Sequence, residues 1–417
     1  MINPYKVVKE IGFERLAGSE GEKKAIKILN GYIKAMGLKP KLEPFELTSF
    51  DAGSAIIKVE GKEFAALPYG LNENAVIKGE LEVLENIDII DYNKGAYEGK
   101  IVMCYGFSRG MAPKLKAAGV ASYIGIGSPH RKATSLSHRQ NSYKDGYIHS
   151  ITITHDDAIK LRKYDGKMLS IHIKQKVEKR KAQNIVVDIK GKGFDKNLTL
   201  AVGHYDTVAH SVGASDNSGG TVTLLKVAEY FVKNQPQRDL RIVFFSGEEL
   251  GLLGSQAYVK KHVEEIKDRL KLVINIDVTG DAIGHDHFNV IGSKELLGYT
   301  DGITKEIGMV FKSNIEIFSS DGMPFTPYEI PSVNVFRAGG KATSMIHTPD
   351  DSVKNVSLKG YDTTIKATIN LLDHILNSKV YPVKKEIDKS LKEKIEIYLW
   401  NLNYEKPELE WEPKYKK

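Results

Sequence analysis

From residue 198 onward, short apolar runs alternate with amphipathic segments, and this alternation limits the possible folds more than any other feature. The apolar runs are short enough for buried strands, and the segments between them place apolar residues at helical spacing. We predict strands at 198–202, 240–245, 272–276 and 332–336, and helices at 221–232, 255–262, 293–311 and 356–376. Strands that alternate with helices of this length predict an α/β fold, with a mixed, largely parallel sheet flanked by helices.

The chain before residue 198 contains two other patterns. Residues 19–37 have the spacing of one amphipathic helix, with Ser19 as its N-cap and Gly37 at its end. Between residues 47 and 179, short β-type runs separated by glycines and polar turns predict an inserted, mostly β domain, and the charged run 177–182 is typical of a solvated connector. We therefore expect one discontinuous α/β domain at 1–46 and 180–380, an insert at 47–179 and a tail at 381–417.

The tail combines an apolar stripe with both tryptophans of the protein, and the residues concerned are Ile387, Leu391, Ile395, Leu399, Trp400 and Trp411. The spacing of the stripe predicts a helix. This helix could pack on its own domain. It could also join two copies of the chain into a homo-oligomer, because tryptophan is enriched at interfaces.

Composition excludes several functional classes. The 417 residues contain 60 Lys and Arg against 53 Asp and Glu, a net charge of +7 without a dense basic block, so we expect no nucleic-acid partner. No apolar run approaches the ~18 residues that cross a membrane. The single cysteine, Cys104, excludes an internal disulfide and a cysteine-based zinc cluster. With no apolar leader at its start, the chain is expected to be cytoplasmic.

Acidic and histidine side chains follow the predicted strands where each strand ends. In open α/β sheets, ligands bind in the loops at the carboxyl ends of the strands. The side chains that collect there are those of His204, Asp206, Asp216, Glu248, Glu249, Asp277 and His347.

Two imidazoles and several carboxylates without a thiolate suit divalent Zn, Co or Mn. Because more than four ligands exceed what one tetrahedral ion can use, we expect two ions, most simply zinc. A pair of ions needs a bridging carboxylate, and a spare carboxylate can then act as the base. Asp216 lies in the glycine-rich segment 213–220, where small residues allow the backbone and the metals to approach closely.

At these positions the sequence resembles the M28 type of co-catalytic zinc aminopeptidases. The similar segments agree in order and spacing, and they are Gly203-His-Tyr-Asp-Thr207, Gly213-Ala-Ser-Asp-Asn-Ser-Gly-Gly220, Phe245-Ser-Gly-Glu-Glu-Leu-Gly251, Asn275-Ile-Asp277 and Met345-Ile-His-Thr-Pro-Asp350. The insert is similar to a protease-associated (PA) domain in Gly99-Lys-Ile-Val-Met-Cys104 and Lys114-Leu-Lys-Ala-Ala-Gly-Val120. The tail has no counterpart in this resemblance.

The resemblance implies a role for each of these side chains. His204 and Asp277 would hold one metal, Glu249 and His347 the other, with Asp216 as the bridge, Glu248 as the general base and Asp206 as the residue that orients the His204 ring. It also implies a cis peptide bond between Asp216 and Asn217. The implied activity is an exopeptidase that removes N-terminal residues from short peptides with a free amine, while the insert roofs the cleft.

Several alternatives remain open. Gly106-Phe-Ser-Arg-Gly110 matches the G-x-S-x-G pattern of serine hydrolases, with Ser108 as nucleophile, although no helix is predicted to start directly after it. An enzyme of the same fold could instead act as a carboxypeptidase, and a protein that kept the metals without catalysis would be a binding module. The polar stretch of the insert, which contains His130, Arg131, His138 and Arg139, is a candidate lid over the site.

Overall fold

The computed structural model describes residues 1–105, 111–140 and 147–402. The helices in these ranges are α1 Pro4–Glu10, α2 Glu20–Ala35, α3 Met111–Ala117, α4 His155–Leu161, α5 Ser218–Lys233, α6 Leu253–Arg269, α7 Lys294–Glu306, α8 Lys341–Met345, α9 Leu358–Asn377 and α10 Lys392–Asn401. Short 3-10 helices cover Ile87–Asp91, Lys94–Tyr97, Arg162–Tyr164, Met323–Tyr328 and Lys389–Leu391.

The strands in the same ranges form two sheets. They are β1 Lys41–Phe50, β2 Ser54–Val59, β3 Lys62–Pro68, β4 Ala75–Leu84, β5 Ile101–Tyr105, β6 Ser122–Ile126, β7 Ser150–Ile153, β8 Met168–Lys174, β9 Val177–Ile189, β10 Leu198–His204, β11 Asp239–Phe245, β12 Leu270–Ile276, β13 His285–Ile291, β14 Lys312–Ile315 and β15 Ser332–Ala338.

The larger sheet has the strand order β1-β9-β11-β10-β12-β15-β13-β14 among the described residues. Its centre is parallel, since β10 pairs in parallel with β11 and β12, and β12 pairs in parallel with β15. The outer pairs β1–β9, β9–β11 and β13–β15 are antiparallel. The sheet is therefore mixed and largely parallel, which confirms the fold class predicted from the sequence.

Helices bury both faces of this sheet, and this explains why its central strands are apolar throughout. Along β11, Ile242 and Phe244 point to the face covered by α1, α2, α5 and α9, whereas Val243 and Phe245 point to the face covered by α6. Because both faces are packed, polar side chains have room only in the loops at the strand ends. The sheet thus provides a rigid base on which the site is built.

The segment between β1 and β9 forms a second, closed sheet with the order β2-β3-β7-β6-β5-β4-β8. Its interior is aliphatic and includes Ile57, Ile124, Ile151 and Ile171. We call this segment, residues 54–174, the barrel. The domain junctions predicted at 46/47 and 179/180 fall within β1 and β9, which pair from Lys41 with Val186 to Phe50 with Val177.

Two local predictions are wrong. The charged run 177–182 is the first half of β9 rather than a solvated connector, because β1 pairs with it along its full length. The helix predicted at 293–311 ends at Glu306, since Gly308 adopts a φ of +72°, and β14 follows. The helix after Ser19 and the remaining α/β elements are confirmed with small shifts at their ends, except that α6 continues past the predicted end at His262, where it is kinked, to Arg269.

The apolar stripe of the tail packs within its own chain. Leu391, Ile395 and Leu399 are buried against Leu252, just before α6, and Met323, at the start of the 3-10 helix Met323–Tyr328. Trp411 and Ser108 lie outside the described residues. Among the described helices, none has the length and apolar composition that a bilayer span requires.

Candidate active site

The structure brings the predicted site residues together at the carboxyl ends of β10, β11 and β12. His204 is the last residue of β10, and Asp277 follows the last residue of β12. Glu248 and Glu249 lie in the loop after β11, Asp216 lies just before α5, and His347 follows α8. A cavity of about 260 Å³ opens among them, and its lining includes all of these side chains except that of His204.

The ligating atoms converge in two groups that share Asp216. The Nε2 atom of His204 lies 3.1 Å from Oδ1 of Asp216 and 3.3 Å from Oδ1 of Asp277. The Nε2 atom of His347 lies 3.1 Å from Oδ2 of Asp216 and 3.1 Å from Oε2 of Glu249. Each Asp216 oxygen therefore faces a different histidine, and each histidine also faces one further carboxylate. This is the arrangement that a carboxylate bridging two cations requires.

The donor set fits divalent cations. In each group, three atoms from His, Asp or Glu lie within 4.8 Å of one another. Among the described residues, no hydrogen-bond donor contacts Oε1 of Glu249, although this oxygen is buried. A buried carboxylate oxygen without a donor is costly, and a cation would relieve that cost. Nitrogen and oxygen donors without sulfur suit zinc, cobalt or manganese.

Burial and the neighbouring histidines shift the pKa values of the carboxylates in this cluster in opposite directions. Burial raises the pKa of Glu248 well above its usual range, and the positive charge of His204 offsets only part of this effect. Burial also raises the pKa of Asp277. Although burial opposes it, hydrogen bonds with His204 and His347 lower the pKa of Asp216 below its usual value. Asp216 is thus the carboxylate held most firmly in its ionised form, which is the form that binds a metal.

Asp206 connects two of the loops that form the site. Its carboxylate oxygens accept hydrogen bonds from the backbone N–H groups of Glu248 and Glu249, at 3.3 and 3.4 Å. Nδ1 of His204 lies 3.2 Å from the backbone oxygen of Asp206 and 3.5 Å from its carboxylate. The side chain predicted to orient the His204 ring therefore also fixes the backbone of the Glu248–Glu249 pair.

Asp351 holds the loop that carries Asp216 through two backbone hydrogen bonds. The two carboxylate oxygens of Asp351 accept hydrogen bonds from the backbone N–H groups of Ser215, at 2.8 Å, and Asp216, at 3.0 Å. The peptide bond from Asp216 to Asn217 is cis, which confirms the expectation from the sequence resemblance. Gly220 packs so closely on β12 that a Cβ atom there would lie 2.3 Å from the oxygen of Ile276.

A buried arginine ties the same loop to the end of β10. Arg15 donates hydrogen bonds to the backbone oxygens of Tyr205, at 2.7 Å, and Val212, at 2.8 Å, and to Oγ of Ser218, at 3.1 Å. Burial lowers the pKa of Arg15 to about 10, so the guanidinium remains charged at neutral pH. Arg15, in the segment before α2, therefore supports the loop that carries Asp216 without contacting the cavity.

The barrel holds the loop that carries His347. Arg131 donates a 2.6 Å hydrogen bond to the backbone oxygen of Ile346, and the backbone N–H of Ser135 donates one of 2.8 Å to the oxygen of His347. His347 has a φ of +60°, which costs a residue with a Cβ atom about 1–2 kcal/mol. These two hydrogen bonds help to hold the residue in that conformation. Of the candidate lid residues, Arg131 thus acts on the site through the backbone, whereas His138 is buried against Tyr69 and Tyr147.

Sequence reasoning gave no role to Asp351, Arg15 or the tail residues that line the cavity, and it named Arg131 only as a candidate lid residue. Asp351 directly follows the segment used for the resemblance, so an acidic pair in a loop was the available signal. Arg15 lies 190 residues from Tyr205, Arg131 lies 215 residues from Ile346, and Tyr398 lies 79 residues from Ser319. No local pattern reveals contacts of that kind.

Comparison with known proteins is consistent with this site. The sequence profile of Peptidase family M28 matches residues 184–372. Aminopeptidase YwaD of Bacillus subtilis (strain 168) is 25% identical over 379 residues, which cover 82% of this chain and 77% of that protein. Leucine aminopeptidase 2 of Trichophyton equinum is 24% identical over 321 residues, and the match spans 75% of this chain but only 63% of that protein.

Solved structures share the fold. BSAP, a zinc aminopeptidase from Bacillus subtilis, superposes with a TM-score of 0.75 at 20% identity, covering 92% of this chain and 98% of that one. A peptidase M28 precursor from Shewanella amazonensis SB2B gives a TM-score of 0.79 at 17% identity, covering 93% and 95%. The candidate ligands around the ends of β10, β11 and β12, the family profile and these folds agree. The chain therefore contains a peptidase family M28 domain at residues 184–372.

Proposed function

We propose that this protein is a two-metal aminopeptidase that removes N-terminal residues from short peptides. The observation that carries the proposal is the position of Asp216, whose two oxygens each lie 3.1 Å from the Nε2 atom of a different histidine. The names of the relatives, aminopeptidase and leucine aminopeptidase, support the same activity. A structural neighbour named as a zinc aminopeptidase supports zinc as the metal.

Two groups of residues would hold the ions. One is His204, Asp216 and Asp277, and the other is Asp216, Glu249 and His347. When bound, the two cations would polarise the scissile carbonyl and lower the pKa of a water molecule in the cleft. The remaining steps belong to side chains of this chain.

Glu248 is the side chain we assign as the general base. It lines the cavity beside Glu249, yet it belongs to neither of the two ligand groups. Its carboxylate would take a proton from the attacking water and return that proton to the nitrogen of the leaving amine. Asp206 would keep Glu248 in position for both proton transfers, because its carboxylate accepts a hydrogen bond from the backbone N–H of Glu248. Both proton transfers, from the water and to the leaving amine, would thus use the same carboxylate in the same position.

The shape of the cavity favours short substrates with a free amine. The barrel closes one side of it through Ser135, Leu136 and Ser137, and the tail closes another side through Tyr398 and Leu402. An ammonium group on the substrate would meet carboxylates at the metal end. We therefore also propose that the insert at 47–179 acts as a separate PA-like domain, which restricts access to the site on the 1–46 and 180–380 domain.

The test compares free and blocked substrates. Amino-acid p-nitroanilides and their N-acetyl forms are assayed with zinc-loaded protein, before and after treatment with a chelator. We expect hydrolysis of the free forms alone, loss of activity with chelator, and recovery on addition of zinc. Equal cleavage of acetylated substrates, or release of C-terminal residues from peptides, would contradict the aminopeptidase assignment. Inhibition by a serine-directed reagent but not by chelator would instead favour Ser108.

A further inference from the structure

The tail forms part of the wall of the active-site cavity, although it lies beyond the matched family domain, which ends at residue 372. Helix α10 is fixed in place by Leu391, Ile395 and Leu399, whose side chains are buried against Leu252 and Met323. An ion pair of 2.6 Å between Lys394 and Glu316 supports the helix from outside. The position of the tail is therefore set by packing with the M28 domain.

Two side chains of this anchored tail reach the cavity. Tyr398 and Leu402 line it together with Glu248, Glu249 and His347. The hydroxyl of Tyr398 shares a hydrogen bond of 2.5 Å with Oγ of Ser319, which also lines the cavity. The tail and the loop before the 3-10 helix at Met323–Tyr328 thus form one continuous wall.

The wall differs in chemistry from the metal end. Among the described lining residues, the acids and the histidine all belong to the metal site, namely Asp216, Glu248, Glu249, Asp277 and His347. Around the tail, the lining is mainly apolar and includes Leu252 and Phe318 besides Leu402. A charged side chain placed there would lose its hydration without gaining a partner. An apolar side chain would gain from the same transfer.

We propose that Tyr398 and Leu402 form the specificity wall for the side chain of the substrate's N-terminal residue. This inference rests on the proposed aminopeptidase function. When the scissile carbonyl and the free amine are held at the metal end, the side chain between them must enter the adjacent part of the same cavity. The tail then sets both the preference for apolar N-terminal residues and the largest side chain that fits.

Leu402 is the position to vary, because it is partly exposed at the end of α10 and its loss leaves the buried stripe intact. The assay measures kcat/KM of zinc-loaded protein for the p-nitroanilides of Ala, Leu, Phe, Lys and Glu. The ratio of two substrates on one variant cancels any loss of folded protein. For the unaltered protein, we expect values for Lys and Glu at least tenfold below that for Leu.

Leu402→Ala should raise the Phe/Leu ratio of kcat/KM about tenfold, since each methylene's worth of space in an apolar pocket changes discrimination by roughly 10-fold or more. Leu402→Trp should lower the same ratio. Tyr398→Phe keeps the ring and should leave the ratio within about twofold. Trp400→Ala is the matched control, because Trp400 lies on the same helix, is 41% exposed and does not line the cavity.

Three results would overturn the inference. The first is a Phe/Leu ratio that stays within twofold in both Leu402 variants while the unaltered protein is active. The second is an altered preference for the second residue of dipeptide substrates without any change at the first. The third is an unaltered protein that hydrolyses none of the anilides, which would remove the proposed function and this inference together.

Discussion

Replacing Asp351 by asparagine tests how strongly Asp351 holds the loop that carries Asp216. Asp351 is fully buried, and its two oxygens accept hydrogen bonds from consecutive backbone N–H groups, those of Ser215 and Asp216. An asparagine keeps one acceptor but directs an NH₂ group at the other N–H. One hydrogen bond is then lost and a buried N–H is left without a partner, so we expect destabilisation by about 2–4 kcal/mol.

The assay is urea unfolding in the presence of chelator, so that metal binding does not contribute to the measured stability. Asp350→Asn is the matched control, because the same chemical change occurs one residue earlier at a half-buried side chain, and it should cost less than about 0.5 kcal/mol. Adding zinc should widen the gap between the two variants, since Asp351 also fixes the backbone of a metal ligand. If Asp351→Asn and Asp350→Asn differ by less than 0.5 kcal/mol, the loop is not held as described here.

Three further predictions concern metal binding, catalysis and stability. Glu248→Gln should retain zinc but lose at least ~10²-fold in kcat, whereas Asp216→Asn should also lose zinc, as measured by elemental analysis after dialysis. Arg131→Ala should weaken zinc binding by about 10- to 100-fold in a chelator competition, because it frees the backbone beside His347, while Lys132→Ala should not; equal affinities would refute this. Arg15→Met should cost about 3–5 kcal/mol in urea unfolding, and a loss below ~1 kcal/mol would contradict its supporting role.

The sequence was sufficient to predict the sheet and the grouping of the candidate ligand side chains for the same physical reason. A sheet packed on both faces requires apolar strands, as in 240–245, and leaves polar residues such as His204 and Asp277 to its strand ends. Both patterns are local. The location of these residues at the ends of predicted strands therefore indicated where they lie in the fold. The structure places them together in the expected loops.

The wrong or missing predictions concern charged residues within a strand and contacts between residues that lie far apart in the sequence. In β9, Glu178 and Arg180 form an ion pair on a strand whose neighbour β1 is about 130 residues away in the sequence, so its charged residues resembled a connector. The contacts of Arg131 and Tyr398 with the M28 domain depend on where the insert and the tail settle after folding. Neither residue belongs to a periodic pattern that would have indicated its partner.

The pairing of β1 with β9 has a consequence for how the barrel could be added to or removed from the chain. Phe50 and Val177 are cross-strand partners at the point where the chain enters and leaves the barrel. Adjacent strands lie only ~4.8 Å apart, and a two-residue turn can join antiparallel neighbours. A shortened chain that closes this hairpin would keep every strand of the larger sheet.

Such a chain would lose the hydrogen bonds from Arg131 and Ser135 to the His347 loop, together with the Ser135–Ser137 side of the cavity. We expect removal of the barrel to spare folding of the sheet, to leave the His347 loop without these hydrogen bonds and to open the cleft to longer chains.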